Sequence, residues 1–208
     1  RGGALGDCLA AVLDWAGYNV TREFYVNDAG NQIQKFGKSL SARYLQLYQG
    51  EQAVPFPEDG YQGEDIKALA KEFAALHGDA LVEAAEEARR AALIGYALPK
   101  NIAGLERDLA KYRIHYDVWF RESALHDSGA VQAVVDRLLA SGACYKAEDG
   151  AVMYKSAQFT EKYGAANKKR DEDEVKDEVL VRANGIPTYF AADIAYHYNK
   201  LAVRGFSR

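Results

Sequence analysis

The sequence is poor in cysteine, with only Cys8 and Cys144 among its 208 residues. Two cysteines are too few for a disulfide-built domain or, on their own, for a zinc site. A reducing, cytoplasmic setting therefore suits the composition best. Cys8 falls on the apolar stripe of a predicted helix, so we expect it to lie in the core rather than to act as a nucleophile.

Long apolar runs and an excess of positive charge are also absent. No stretch approaches the roughly 20 apolar residues that span a membrane, and the N-terminus lacks the order of a signal peptide. The net charge of −4 argues against a surface that grips nucleic acid by bulk charge, although a local RNA contact stays open. The chain starts at Arg1 rather than at Met, so we expect it to be part of a longer protein.

A metal site is not predicted either. The four histidines, His77, His115, His126 and His197, do not pair with one another or with a cysteine at the spacing of metal ligands. We expect the first three to be surface or satisfied core residues.

The sequence does have the balance of a soluble globular protein, with 49% hydrophobic and 27% charged residues. Its length allows one domain or two small ones. Apolar residues at helical spacing predict helices over residues 5–16 and 33–47, and a β-branched, aromatic run predicts a buried strand at 19–26. This order indicates an α/β layer.

The remainder predicts mainly helices with two hairpins. Strongly helical residues 80–98 should end at Pro99, because proline interrupts helices. Turn residues at 148–150 and 184–185 predict hairpins that join 143–146 to 151–155 and 179–182 to 187–190. The other predicted elements are helices around 66–76, 102–112, 131–139 and 191–201, and a short strand at 116–120.

The glycine-rich start of the first helix is the first candidate site. Gly2, Gly3 and Gly6 leave backbone N–H groups free at a positive helix end, which suits a phosphate. The same glycines also suit a close-packed helix start, so the pattern alone leaves both interpretations open.

A polar turn after the first strand is the second candidate. Asn27, Asp28 and Gln32 follow the strand directly, and in open α/β sheets ligands gather at the carboxyl ends of strands. The alternative is an ordinary solvated turn in which Asp28 or Asn31 caps the next helix.

The third candidate is the start of the last helix. Tyr189 and Asp193 are four residues apart, so they project from one face if the helix begins by Tyr189. A carboxylate beside a phenol can hold a guanidinium or ammonium group. His197, one turn further, could line the same pocket. The alternative is a packed tyrosine with an aspartate that favours the helix dipole.

A mixed charge run covers Lys168 to Glu178. Such runs are usually solvated loops, and an RNA contact through Lys168, Lys169 and Arg170 is the alternative.

Four blocks of the sequence together resemble the bacterial arginyl-tRNA synthetases, in the order in which that family has them. The first is RGGALGDCLAAVLDWAGYNVTREFYVNDAGNQI, residues 1–33. The others are PEDGYQGEDI (57–66), YDVWFRES (116–123) and DEVLVRANGIPTYFAADIAYHYNK (177–200). Residues 81–113 match the family least.

The resemblance implies an α/β, Rossmann-type class I synthetase catalytic core with an inserted mixed α+β subdomain. It implies a first catalytic part at 1–50, the insertion at 51–178 and a return segment with the arginine pocket at 179–208. Tyr189 and Asp193 match the family's Tyr-x-x-x-Asp pattern and would contact arginine. The neighbours of the arginine pocket would be Asn27, Asp28, Gln32 and His197. The nucleotide contact would be made by Gly2, Gly3 and Gly6.

The implied activity is arginine–tRNA ligation in the cytoplasm. Arginine and ATP, with Mg²⁺, would give arginyl-adenylate, and the arginyl group would pass to the terminal adenosine of tRNA. The whole enzyme would be a monomer without a prosthetic group. The family's His-x-Gly-His signature should precede Arg1 and its Lys-Met-Ser-Lys-Ser-type loop should follow Arg208, so we expect the chain alone to be inactive.

Two other functions stay open from the sequence. One is a non-catalytic, synthetase-like module that binds RNA or protein. The other is an unrelated nucleotide-binding enzyme that uses the glycine-rich helix start, although the expected acidic residue at a second strand end is missing.

Overall fold

The computed structural model describes residues 1–163 and 176–207, with side chains to residue 159 in the first range. The described chain divides into two compact units, Arg1–Arg121 and Glu122–Arg208. Lys168, Lys169 and Arg170 of the charge run lie outside the described residues. The predicted boundaries of the insertion, at residues 50 and 178, follow from the family resemblance and stay a prediction.

The first unit combines four helices with two strands. Its elements are α1 (Gly2–Trp15), β1 (Glu23–Val26), α2 (Gly30–Gln49), α3 (Glu64–His77), α4 (Glu86–Lys111) and β2 (Val118–Arg121).

Strands β1 and β2 run parallel, with Glu23 opposite Val118 and Val26 opposite Arg121. Parallel strands need a long crossover, and here helices α2, α3 and α4 supply it. The rings of Phe24 and Trp119, neighbours in this register, stack with centroids 4.6 Å apart. The predicted α/β layer is therefore present, although β1 is shorter than the predicted 19–26.

Helix α2 is the centre of the packing in this unit. Its Phe36, Leu40 and Tyr44 are buried, and they pack against apolar residues of α3 and α4 in one cluster. Gly37 lets α4 come close, because a Cβ at this position would lie 2.6 Å from the Cδ1 atom of Ile94. The predicted helix at 33–47 is confirmed and is longer at both ends.

Helix α4 corrects the prediction that the helix ends at Pro99. One helix continues through Pro99 to Lys111, so the two predicted helices are a single element. Proline removes one backbone donor, but buried Leu93 and Ala97 on one side of it hold the helix against the core.

Helix α1 corrects a second prediction. Leu5, Leu9, Val12 and Trp15, the predicted buried face, are all exposed to solvent. Cys8 is exposed as well, so the prediction that it lies in the core is wrong. The half-buried side of the helix is the opposite one, on which Asp7 pairs with Arg22 at 3.3 Å.

The second unit has a small sheet covered by helices. Its elements are α5 (Ser123–Asp127), α6 (Ala130–Ala140), β3 (Cys144–Lys146), β4 (Val152–Tyr154), α7 (Ser156–Tyr163), β5 (Glu178–Val181), α8 (Tyr189–Tyr198) and a π-helix (Asn199–Val203).

The strands of this unit form an antiparallel sheet in the order β3-β4-β5. The hairpin predicted at 143–155 is confirmed as β3 and β4. The second predicted hairpin is reduced to one bridge between Val181 and Pro187, because the chain turns into α8 at Tyr189. Within the described residues, no helix has the length and apolar character needed to cross a membrane.

Candidate functional site

Helix α8 presents the third candidate site on one exposed face. The helix begins at Tyr189, as the one-face prediction requires, and Tyr189 is 80% exposed. Asp193 and His197 follow at intervals of four residues and are exposed too. The opposite face carries the buried alanines Ala191, Ala192 and Ala195. Small residues thus pack against the unit, and the polar ones face outward.

The start of α8 is fixed to strand β5 through Thr188. Its backbone N–H donates to the carbonyl oxygen of Leu180 at 2.8 Å. Its hydroxyl donates to the carbonyl oxygen of Val179 at 2.8 Å. Leu180 is fully buried, so Tyr189 and Asp193 project from a firmly anchored helix end. Thr188 is not among the residues predicted for this site, although a threonine before a helix is a common N-cap signal in a sequence.

This face can hold a planar cation. A carboxylate accepts two parallel hydrogen bonds from a guanidinium, and Asp193 makes no ion pair with any residue that the structure describes. The exposed ring of Tyr189, one turn earlier, offers an apolar surface and a hydroxyl. A carboxylate beside a phenol can hold either a guanidinium or an ammonium group, and of these only the guanidinium is planar and forked.

The turn after β1 contains the second candidate site. Asn27 is exposed just after buried Val26. The residue at the N-cap position of α2 is Ala29, whose side chain makes no capping hydrogen bond. Asn27 and Gln32 line a cavity of about 270 Å³. They belong to the first unit, and their predicted place beside the arginine pocket stays a prediction.

The glycine-rich helix start shows two kinds of environment. A Cβ at Gly3 would meet the side chains of Leu109, Tyr116 and Ile114 at 3.5–3.7 Å, which fits close packing. Gly2 and Gly6 instead line a cavity of about 330 Å³. The nucleotide contact of these glycines stays a prediction.

Two of the histidines take ordinary structural places. His77 lies against the ring of Phe73, with centroids 4.4 Å apart, and the Nε2 atom of His126 is 3.5 Å from a carboxylate oxygen of Glu122. No group of three or more metal-ligating side chains occurs in the part of the chain that the structure describes.

The comparisons with known proteins agree with this fold. No protein-family model matches the chain. Arginine–tRNA ligases from Ruminiclostridium cellulolyticum and Acetivibrio thermocellus are each 54% identical to it, over 206 and 208 residues. These alignments cover 99% and 100% of the chain but 34% of each relative. The chain thus spans about a third of the length of the curated relatives it matches.

Solved structures are similar to the chain as well. A Campylobacter jejuni structure assigned as an arginyl-tRNA synthetase matches all of the chain and 42% of its own, with a TM-score of 0.80 and 32% identity. The Thermus thermophilus arginyl-tRNA synthetase matches 96% of the chain and 32% of its own, with a TM-score of 0.57 and 22% identity. The second likeness concerns the fold alone.

The fold and these relatives place the chain among the class I aminoacyl-tRNA synthetases, within the α/β catalytic part. More narrowly, the chain belongs to the arginyl-tRNA synthetase family and corresponds to one segment of it. The resemblance seen in the sequence is therefore confirmed.

Proposed function

We propose that this chain is the part of an arginine–tRNA ligase that binds the side chain of arginine. The proposal rests on the exposed, anchored pair Tyr189 and Asp193 within a segment that is 54% identical to arginine–tRNA ligases. Identity over the whole chain favours this function over a non-catalytic module and over an unrelated nucleotide-binding enzyme.

In the proposed reaction, the carboxylate of arginine attacks the α-phosphate of ATP. Arginyl-adenylate forms and pyrophosphate leaves. A ribose hydroxyl of the terminal adenosine of tRNA then attacks the arginyl carbonyl, and AMP leaves. Mg²⁺ bound with ATP would neutralise phosphate charge.

The proposed work of this chain is to hold and orient the substrate. Asp193 pairs with the guanidinium in a fork of two hydrogen bonds, and the Tyr189 ring packs on the aliphatic part of the arginine. Thr188 fixes the helix end from which both project. Orientation of a bound substrate lowers the barrier of the chemical step.

Three finer features belong to the same proposal. Residues 51–178 form an insertion in the Rossmann-type core, and residues 179–208 return the chain to it. His197 lies on the same helix face as Tyr189 and Asp193 and borders the bound arginine, and the glycine-rich start of α1 approaches ATP. The partners are arginine, ATP and the tRNA that accepts arginine. The ligase acts as a monomer in the cytoplasm.

The test is arginine-dependent tRNA charging by the ligase that contains this segment, with Asp193→Ala and Tyr189→Phe. An unpaired guanidinium costs roughly 2–5 kcal/mol, so Asp193→Ala should raise the arginine KM by about 30-fold or more. Tyr189→Phe keeps the ring and should have a smaller effect. The control is Asp136→Ala, an exposed aspartate on α6. An unchanged arginine KM in Asp193→Ala would contradict the pocket assignment.

A further inference from the structure

Helix α4 is held unevenly along its length. Its buried residues, Arg89, Leu93 and Ala97, all precede Pro99. The part before the proline, residues 86–98, which we call the inner half, therefore belongs to the core shared with α2 and α3. The part after it, residues 100–111, which we call the outer half, has no buried residue. Packing thus fixes one half of this helix more firmly than the other.

The junction between the two halves has the chemistry of a joint. Pro99 has no N–H group, so the carbonyl oxygen of Gly95, four residues earlier, receives no helical hydrogen bond. Gly95 has no side chain to restrain the backbone, and a Cβ at this position would meet nothing within 4 Å. Sharp kinks in helices occur mostly at proline. The helix can therefore bend at Pro99 at little cost.

A group of polar contacts spans this joint. The Oε2 atom of Glu72 on α3 accepts a hydrogen bond from the Tyr96 hydroxyl, before the joint, at 3.3 Å. The same atom accepts one from the ammonium group of Lys100, just after the joint, at 2.6 Å. This ammonium group also lies 4.5 Å from the centre of the Tyr96 ring. Glu72, Tyr96 and Lys100, which we call the latch, thus hold the first turn of the outer half against α3.

The outer half ends in a compact cap. The N–H groups of Arg113 and Ile114 donate to the carbonyl oxygens of Ala110 and Leu109 at 2.9 and 3.1 Å, which is the Schellman pattern of a helix end. Arg113 has a φ of 61°, in the left-handed region that this pattern requires. The cap satisfies the last carbonyl groups, so it favours an outer half that stays helical when it moves.

The outer half borders two other parts of the first unit. With α3 it forms the walls of a groove of about 690 Å³, which include Ala68 on α3 and Leu105 on α4. At its end it meets α1, where a Cβ at Gly3 would lie 3.5 Å from the Cδ2 atom of Leu109. A change in the tilt of the outer half therefore changes both the width of the groove and the contact with the start of α1.

We propose that the outer half of α4 is a lever that tilts about Pro99 between two positions. In the latched position Lys100 pairs with Glu72, and Leu109 contacts α1. In the released position this pair is open, the outer half tilts away from α3, and the groove is wider. Because surface ion pairs contribute little free energy, both positions are populated.

The test is the distance between two spin labels in the ligase that contains this segment. Its native cysteines, Cys8 and Cys144 among them, are replaced by serine, and the labels are attached at the exposed positions Lys71 on α3 and Ala110 on α4. Ala110 lies about 16 Å beyond Pro99 along the helix. A tilt of about 20° moves it by about 6 Å, which pulsed EPR resolves. Circular dichroism checks that each labelled variant is folded.

The wild type should show two distances, and two variants should change their shares in opposite directions. Pro99→Ala restores the missing N–H group and should leave the latched distance alone. Glu72→Gln removes the charge of the latch and should raise the share of the released distance about two- to fivefold. Glu106→Gln, an exposed change on the outer half itself, is the control and should leave the shares unchanged.

A second pair of labels locates the motion. Labels at Lys71 and at Ala91, an exposed residue of the inner half, should give one narrow distance in the wild type and in every variant. Two distances for this pair would mean that α4 moves as a whole, which would contradict a joint at Pro99.

Three further results would overturn the proposal. A single distance between Lys71 and Ala110 in the wild type, equal to that in Pro99→Ala, would show that the outer half does not tilt. One broad distribution that Pro99→Ala leaves unchanged would indicate a frayed helix end. Equal shares in Glu72→Gln and the wild type would exclude the latch. None of these results bears on the arginine pocket, which is tested separately through Asp193.

Discussion

Arg89 is a buried cation that is satisfied mostly by backbone oxygens. It is 8% exposed. Its Nε–H donates to the Ser41 hydroxyl at 2.9 Å, and one terminal nitrogen donates to the carbonyl oxygens of Leu81, Val82 and Ala84 at 2.9–3.3 Å. One side chain of α4 therefore ties the loop that precedes it to helix α2.

Replacement of Arg89 should destabilise the protein. Arg89→Leu removes the donor to the buried Ser41 hydroxyl and to the half-buried carbonyl groups of Val82 and Ala84, so we expect the free energy of unfolding to fall by roughly 2–4 kcal/mol. Arg107→Leu, on the exposed part of the same helix, should change it by less than about 0.5 kcal/mol. Urea unfolding measures both. Equal stability of the two variants would refute this role of Arg89.

The sequence could predict some of the site residues but not their partners. Tyr189 and Asp193 could be proposed from the sequence, because they lie four residues apart on one predicted helix. Thr188 was not predicted, because its partners Val179 and Leu180 lie on strand β5 and local periodicity does not identify a long-range contact.

At the scale of elements, helices α3 and α4 are joined by a surface ion pair. The ammonium group of Lys100 lies 2.6 Å from a carboxylate oxygen of Glu72. The hydrogen bond from Lys100 holds the pKa of Glu72 below its usual range, and hydrogen bonds with Glu72 and Tyr96 raise the pKa of Lys100.

This pair should make a small contribution to stability that depends on pH. Because the pKa of Glu72 is lowered in the folded state, the contribution is complete above the usual carboxyl range and is lost as the pH falls through the lowered pKa. On the basic side it persists until the pH rises through the raised pKa of Lys100.

We therefore expect Glu72→Gln to lower the Tm slightly at pH 7, and the difference from the wild type to shrink at about pH 3. Thermal unfolding followed by circular dichroism at both pH values measures it. Glu106→Gln, an exposed change on α4, is the control. A Tm difference for Glu72→Gln that is the same at both pH values would contradict the assignment.

Predictions for elements succeeded where the pattern was local and failed where packing decided. The periodicity of α2 and the turn at 148–150 were sufficient for a helix and a hairpin. Pro99 was misleading because tertiary contacts of Leu93 and Ala97 outweigh one missing hydrogen bond. For α1 the apolar stripe predicted the helix correctly. It predicted the wrong side as buried, because the opposite side packs within the unit.

At the scale of the whole molecule, α1 carries an apolar stripe that no described residue covers. Leu5, Leu9, Val12 and Trp15 lie on one side of the helix and are 58–92% exposed. Contiguous exposed apolar surface of this kind promotes association in water. The helical periodicity predicted from the sequence is therefore present in α1, but its apolar side faces solvent instead of a core.

We expect the 208-residue chain to self-associate through this stripe. Leu5→Glu combined with Leu9→Lys should shift sedimentation toward the monomer, because the pair breaks the stripe and its i, i+4 spacing supports the helix. Leu76→Glu removes an exposed leucine of α3, which is 68% exposed, and should leave association unchanged. Sedimentation velocity over a range of concentrations measures this. If the double variant associates like the wild type, some surface other than α1 mediates the contact.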